Sequence, residues 1–207
     1  MNDDADDLAA LIGGVHGLAA MLRRVRADRE LTYEQLAERI DSAPALIDAL
    51  ESARWPDPTL ATVSLLGYGC EVSVSLFVAS FALPIGEPLP WPREHRPPSD
   101  PPHVRLAGPH AFGATLCEER YRLNWTQAYL GERAGLKEIE VGKLERGQVP
   151  APALLTVTRL ARALADTTPR QIAHATLLAR SYAGEITARP LRKLSLPDRH
   201  EPPAEPD

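Results

Sequence analysis

Cysteine is nearly missing from this chain: Cys70 and Cys117 are the two in 207 residues, with no CxxC spacing. A disulfide-stapled scaffold is excluded, and free thiols in a reducing cytosol are expected. The six histidines, His16, His95, His103, His110, His174 and His200, show no metal-ligand spacing, so no metal is expected. His174 reads as a packed helix residue. No apolar run approaches the ~18 residues of a membrane span. Met1 to Asp7 carries four aspartates and no basic residue, unlike a secretion leader, so a cytoplasmic location without membrane is expected. Catalytic equipment is missing as well. No nucleophile–base pair, phosphate loop or pocket of paired carboxylates can be read, and Gly67-Tyr68-Gly69 is too short for a dinucleotide fingerprint. Neither an enzyme nor a cofactor is expected.

Proline, by contrast, is abundant and clustered. Nine of twenty prolines fall between Pro84 and Pro109, and five more between Pro190 and Pro206. Proline lacks an amide proton and disfavours helix at the residue before it, so the first cluster predicts an extended spacer. The second predicts a disordered tail. Charge is also uneven. Residues 1–90 hold 6 basic and 14 acidic side chains, whereas residues 105–190 hold 12 basic and 8 acidic, so the net charge of −5 averages two opposite halves. Such asymmetry suggests that only the second half meets a polyanion.

The two halves are nonetheless related. Residues 22–66 recur at 116–160, shifted by 94 positions without an insertion or deletion, and 14 of the 45 pairs are identical. Chance would give roughly three or four, so one fold has been used twice. In the second repeat, Ala114, Leu116, Cys117 and Tyr121 share a helix face that ends near Leu123. Thr126 is placed to cap a second helix through Arg133, and Gly135 breaks the chain. A third helix, Lys137–Glu145, presents Ile139, Val141 and Leu144, with Gly147 as its C-terminal cap. A fourth helix carries Leu154, Leu155, Val157 and Leu160. A fifth starts at Thr168-Pro169, a capping residue before proline.

Two helices joined by a tight glycine-bearing turn have the geometry of a helix-turn-helix. The segment TQAYLGERAG-LKEIEVGKLERG resembles the DNA-binding domain of the Cro/CI-type repressors, the Xre family, with Thr126, Gln127, Leu130, Gly135, Val141, Leu144, Glu145 and Gly147 at the family's spacing. The resemblance implies an all-α chain of two tandem five-helix, lambda-repressor-like helix-turn-helix domains joined by a Pro-rich linker. The expected boundaries are an acidic disordered lead-in over 1–13, a degenerate first domain over 14–84, the linker over 85–109, a DNA-binding domain over 110–187 and a disordered tail over 188–207. It further implies that Thr126, Gln127 and Arg146 contact the DNA backbone, and that Lys137, Glu138, Ile139 and Lys143 face base edges in the major groove. Lysine can donate to guanine O6 and N7, and Glu138 can accept from cytosine N4. Arg120 and Glu145, with Arg26 and Glu51 as counterparts, match the family's partly buried ion pair. Glu138 and Glu140 oppose a phosphate lattice unless one of them reads a base.

In the first repeat the scaffold survives and the interface does not. Tyr33 replaces Gln127, the groove-facing positions become Ala43, Pro44, Ala45 and Ala49, and Asp41 and Asp48 add negative charge. Gly67 and Gly69 are expected to interrupt the region between its fourth and fifth helices. Beyond them, Val72, Val74, Leu76, Phe77, Val78 and Phe81 form a more apolar stretch than so small a domain easily hides. The expected function is a sequence-specific transcriptional regulator that binds double-stranded DNA through the second domain as a homodimer. The first repeat then mediates dimerisation or holds a protein partner. The alternative is a non-DNA-binding adaptor, of antitoxin or anti-activator type, on the same scaffold.

Overall fold

A computed structural model describes residues 3–82 and 107–185, with side chains from Gly14 onward. Among these residues the fold is all-helical: α1 Asp3–Asp28, α2 Tyr33–Arg39, α3 Pro44–Glu51, α4 Leu60–Gly69 and α5 Val74–Ala82, then α6 Gly108–Arg122, α7 Gln127–Ala134, α8 Glu138–Glu145, α9 Leu154–Leu164 and α10 Thr168–Ala183. The shift of 94 residues separates the start of α2 from that of α7, α3 from α8, α4 from α9 and α5 from α10, and the end of α1 from that of α6. Nearly all of the Pro-rich spacer and the tail lie outside the described residues.

Local chemistry accounts for most boundaries. The Thr32 hydroxyl accepts from the Gln35 amide at 3.2 Å while the Gln35 side chain accepts from the Thr32 amide at 2.8 Å, a reciprocal cap that starts α2. Thr126 caps α7 with a single bond, its hydroxyl accepting from the Tyr129 amide at 3.1 Å. Gly135 ends α7 with φ of 65° and Gly147 follows α8 with φ of 68°, both in the left-handed region. Their counterparts Asp41 and Ala53 adopt the same twist, at 51° and 54°, with a Cβ present. At these two turns repeat one therefore carries strain that repeat two avoids.

Three expectations need correction. The lead-in expected over residues 1–13 is helical from Asp3, in keeping with a run of acidic residues at the positive end of the helix dipole. The last helix begins at Thr168 with Thr167 in the capping position, one residue earlier than read. Gly67 and Gly69 do not interrupt α4. A Cβ on Gly69 would overlap Ile40 and Leu36, and one on Gly67 would reach the Val72 carbonyl at 3.0 Å. These glycines let α2 and the turn before α5 close onto α4.

The core runs through both helix sets. Leu18, Leu22, Leu36, Ile47, Leu50, Leu60, Leu66 and Phe77 are fully buried, as are Phe112, Leu116, Leu130, Val141, Leu154 and Leu160. Val74, Leu76, Phe77, Val78 and Phe81 of the apolar stretch are all buried because α5 lies between α1 and α10. At its centre the Leu60 amide donates to the Pro152 carbonyl at 2.8 Å and the Leu154 amide donates to the Pro58 carbonyl at 2.9 Å. Thr59 and Ala153 thus pair across a short antiparallel bridge.

Candidate nucleic-acid interface

Helix α8 is anchored from behind. Arg120 of α6 forks onto Glu145, Nε to Oε1 at 2.6 Å and Nη2 to Oε2 at 2.8 Å, with both side chains 5% exposed. Its third donor, Nη1, reaches the Trp125 carbonyl at 2.6 Å and so fixes the turn that leads into α7. The Glu145 carboxylate raises the Arg120 pKa, chiefly by accepting these hydrogen bonds. Val141 and Leu144 face the core, and Gly113 of α6 lets the helices touch, since a Cβ there would collide with the Leu144 and Glu145 carbonyls.

The outward face is different. Lys137, Glu138, Ile139, Glu140, Lys143 and Arg146 are all exposed, Ile139 by 61%. The structure gathers Lys137, Glu138, Ile139 and Lys143 on the solvent side of one two-turn helix, with Arg146 just beyond its end. Neither lysine is in an ion pair among the described residues. Glu140 turns back and accepts from the Lys137 amide at 2.7 Å, which starts the helix and directs its charge toward that helix's own free amides. The carboxylate that argued against a phosphate partner therefore has a local role.

Gln127 stands at the first turn of α7, half-buried, and its amide nitrogen donates to Glu145 Oε2 at 2.7 Å. Among the described residues that nitrogen has no acceptor other than Glu145 for its second proton. Gln127 Oε1 and the Arg146 guanidinium lie on either side of Gly142, where a Cβ would come within 3.2 and 3.0 Å of them. Sequence reasoning missed Tyr129, 43% exposed and in edge contact with Trp125 at 5.0 Å, on the same helix as Gln127.

The first repeat reproduces the anchor bond for bond. Arg26 Nε meets Glu51 Oε1 at 2.7 Å and Arg26 Nη1 meets the Leu31 carbonyl at 2.8 Å, each atom 94 residues from its counterpart. Tyr33 takes the place of Gln127 and donates its hydroxyl to Glu51 Oε2 at 3.0 Å, while Arg26 stacks over its ring at 4.4 Å. On the outward face stand Ala43, Pro44 and Ala45, exposed and without charge, and Asp48 is held by Arg54.

His174 does pack, with Nδ1 3.1 Å from Glu119 Oε2, and Arg122 pairs with the same carboxylate. Among the described residues no cluster of His, Cys, Asp or Glu is arranged to hold a metal ion, and no helix is long and apolar enough to cross a membrane.

Residues 118–186 match the family model described as helix-turn-helix, a third of the chain, covering α7 to α10 and the end of α6. That family consists of DNA-binding regulatory domains, and it is not an enzyme family. No curated protein and no solved structure is similar enough to the chain to match it.

Proposed function

We propose that the chain is a sequence-specific transcriptional regulator that lays α8 in the major groove of duplex DNA. The observation that carries this is the outward face of α8: Lys137 and Lys143 free of ion pairs among the described residues, Arg146 at the helix end and Ile139 exposed between them, on a helix fixed by a buried fork. Lys137 and Lys143 supply donors for guanine edges, Glu138 accepts from cytosine, and Ile139 offers an apolar surface for a thymine methyl. Thr126, Gln127 and Arg146 set the depth of the helix by contacting phosphates. The first repeat, whose matching face is alanine and proline, does not touch DNA.

The test is a binding selection on genomic fragments with the full chain, followed by affinity measurements at several salt concentrations. Affinity should fall steeply as salt rises, because each neutralised phosphate releases counterions. Lys143→Ala should relax base preference at ~1–3 kcal/mol, whereas Gln127→Ala should weaken all sequences alike. Failure to bind any duplex at low ionic strength rejects the proposal. The adaptor reading draws on one observation, the 61% exposed Ile139 flanked by two glutamates, which also suits a protein surface. It requires a salt-tolerant heterocomplex and no affinity for DNA.

A further inference from the structure

We infer that the first repeat occupies, within the same chain, the place that a second copy of the second repeat would take, so that one chain is a complete and deliberately unequal pair offering a single reading helix. Its consequence for DNA rests on the reading proposed above.

The register of the interface carries the argument. Leu60 donates to Pro152 and Leu154 donates to Pro58, and each atom differs from its mirror by the repeat offset. Such reciprocity, residue i meeting j while j meets i, defines an isologous two-fold contact between subunits. Helices α5 and α10 are likewise equivalents, and they pack on one another. A two-fold interface is here made between two halves of one polypeptide.

Other contacts on the same seam are not symmetric, and the Asp57 contact separates this pair from one made of two second repeats. The Asp57 carboxylate accepts from the Leu155 amide at 3.0 Å, whereas its counterpart Ala151 has no side-chain acceptor to offer. Glu185 closes the start of α5, accepting from the Val74 amide at 2.8 Å and the Ser73 hydroxyl at 2.6 Å. Two second repeats facing each other would lose the Asp57 contact on both sides. The covalent connection adds to this preference, because a linked partner acts at an effective concentration of order mM.

For DNA the consequence is asymmetry. A symmetric dimer reads an inverted repeat through two equivalent helices. This pair has Lys137 and Lys143 on one member and Ala43 and Ala49 on the other, so its target is one half-site without an inverted partner.

The mass of the full chain in solution tests the pairing, and a trapping experiment tests its connectivity. Sedimentation at micromolar concentration should give one chain, 22.6 kDa. Thr59 and Ala153 face each other across an antiparallel bridge, where Cα atoms lie about 4.5 Å apart, within disulfide range. The double variant Thr59→Cys/Ala153→Cys should therefore oxidise within the chain and migrate as a monomer, with the wild type as control for Cys70 and Cys117. A stable two-chain species, or a disulfide joining two chains, overturns the inference. On a selected duplex the expected stoichiometry is one chain, and two chains on an inverted repeat would also overturn it. If no duplex is bound at all, the DNA reading fails alone, since mass and cross-link still decide the pairing.

Discussion

Removing Arg120 should be among the most damaging single changes in this protein. Its guanidinium makes three short bonds, two to Glu145 and one to the Trp125 carbonyl. With both side chains of the pair 5% exposed, Arg120→Ala leaves in the interior a carboxylate that still accepts from Gln127 but has lost its cation. Breaking a buried pair by deleting one partner costs about 3–5 kcal/mol, because the stranded charge cannot recover its hydration. Arg26→Ala should cost less, about 2–3 kcal/mol on the same principle. The Arg26 side chain is 21% exposed, so water can follow, and the Tyr33 hydroxyl still serves Glu51. Urea unfolding followed by circular dichroism reads both as midpoint shifts at constant slope. The double replacement Arg120→Met/Glu145→Leu should recover most of the loss, since no charge is left behind. A cost for Arg120→Ala below about 1 kcal/mol, or a double variant as unstable as the single one, refutes this reasoning.

Further outcomes are expected elsewhere. Ala53→Gly should stabilise by about 1 kcal/mol in the same urea assay, because φ of 54° strains a residue that carries a Cβ; no gain would mean that the turn tolerates alanine. Gly113→Ala should push α8 away from α6 and reduce duplex affinity without touching any outward-facing residue, as measured by fluorescence anisotropy. The Glu119 pKa is lowered, first by its hydrogen bond with His174. Its contribution to stability is therefore present above the ordinary carboxylate range and lost as pH falls through the lowered folded value. Glu119→Gln should then be less stable near pH 7 and show a flatter acid limb in pH-dependent unfolding. Burial pushes the Cys70 thiol up to about 12, so a thiol reagent at pH 8 should label it only after unfolding.

Much of this architecture was legible in the sequence, for identifiable reasons. Capping residues and turn glycines act over three or four positions, so Thr126, Gly135 and Gly147 announced their helices. The ion pair Arg120–Glu145 was implied by the family resemblance, and its twin followed because the repeat preserved both partners. What escaped was everything that depends on distance. Glu140 looked like a liability until its carboxylate was found on the Lys137 amide. The apolar residues of α5 signalled something to be covered, but could not say that α10 of the same chain covers them. Gly69 reads as a helix breaker in isolation, and only the nearness of Leu36 and Ile40 explains it.

One property of α8 reaches past this molecule. The ion pair and the core contacts that hold the helix lie on its inner side, and the exposed side chains of Lys137, Ile139 and Lys143 bear no weight in the scaffold. Under the proposed function, exchanging them would alter what is recognised at almost no expense in folding, so a lineage carrying this scaffold would be free to drift from one target to another by substitutions at a handful of sites. On the same proposal, the alanines and proline on α3 would be the far end of that freedom, a surface whose message has been erased while the architecture beneath it still stands.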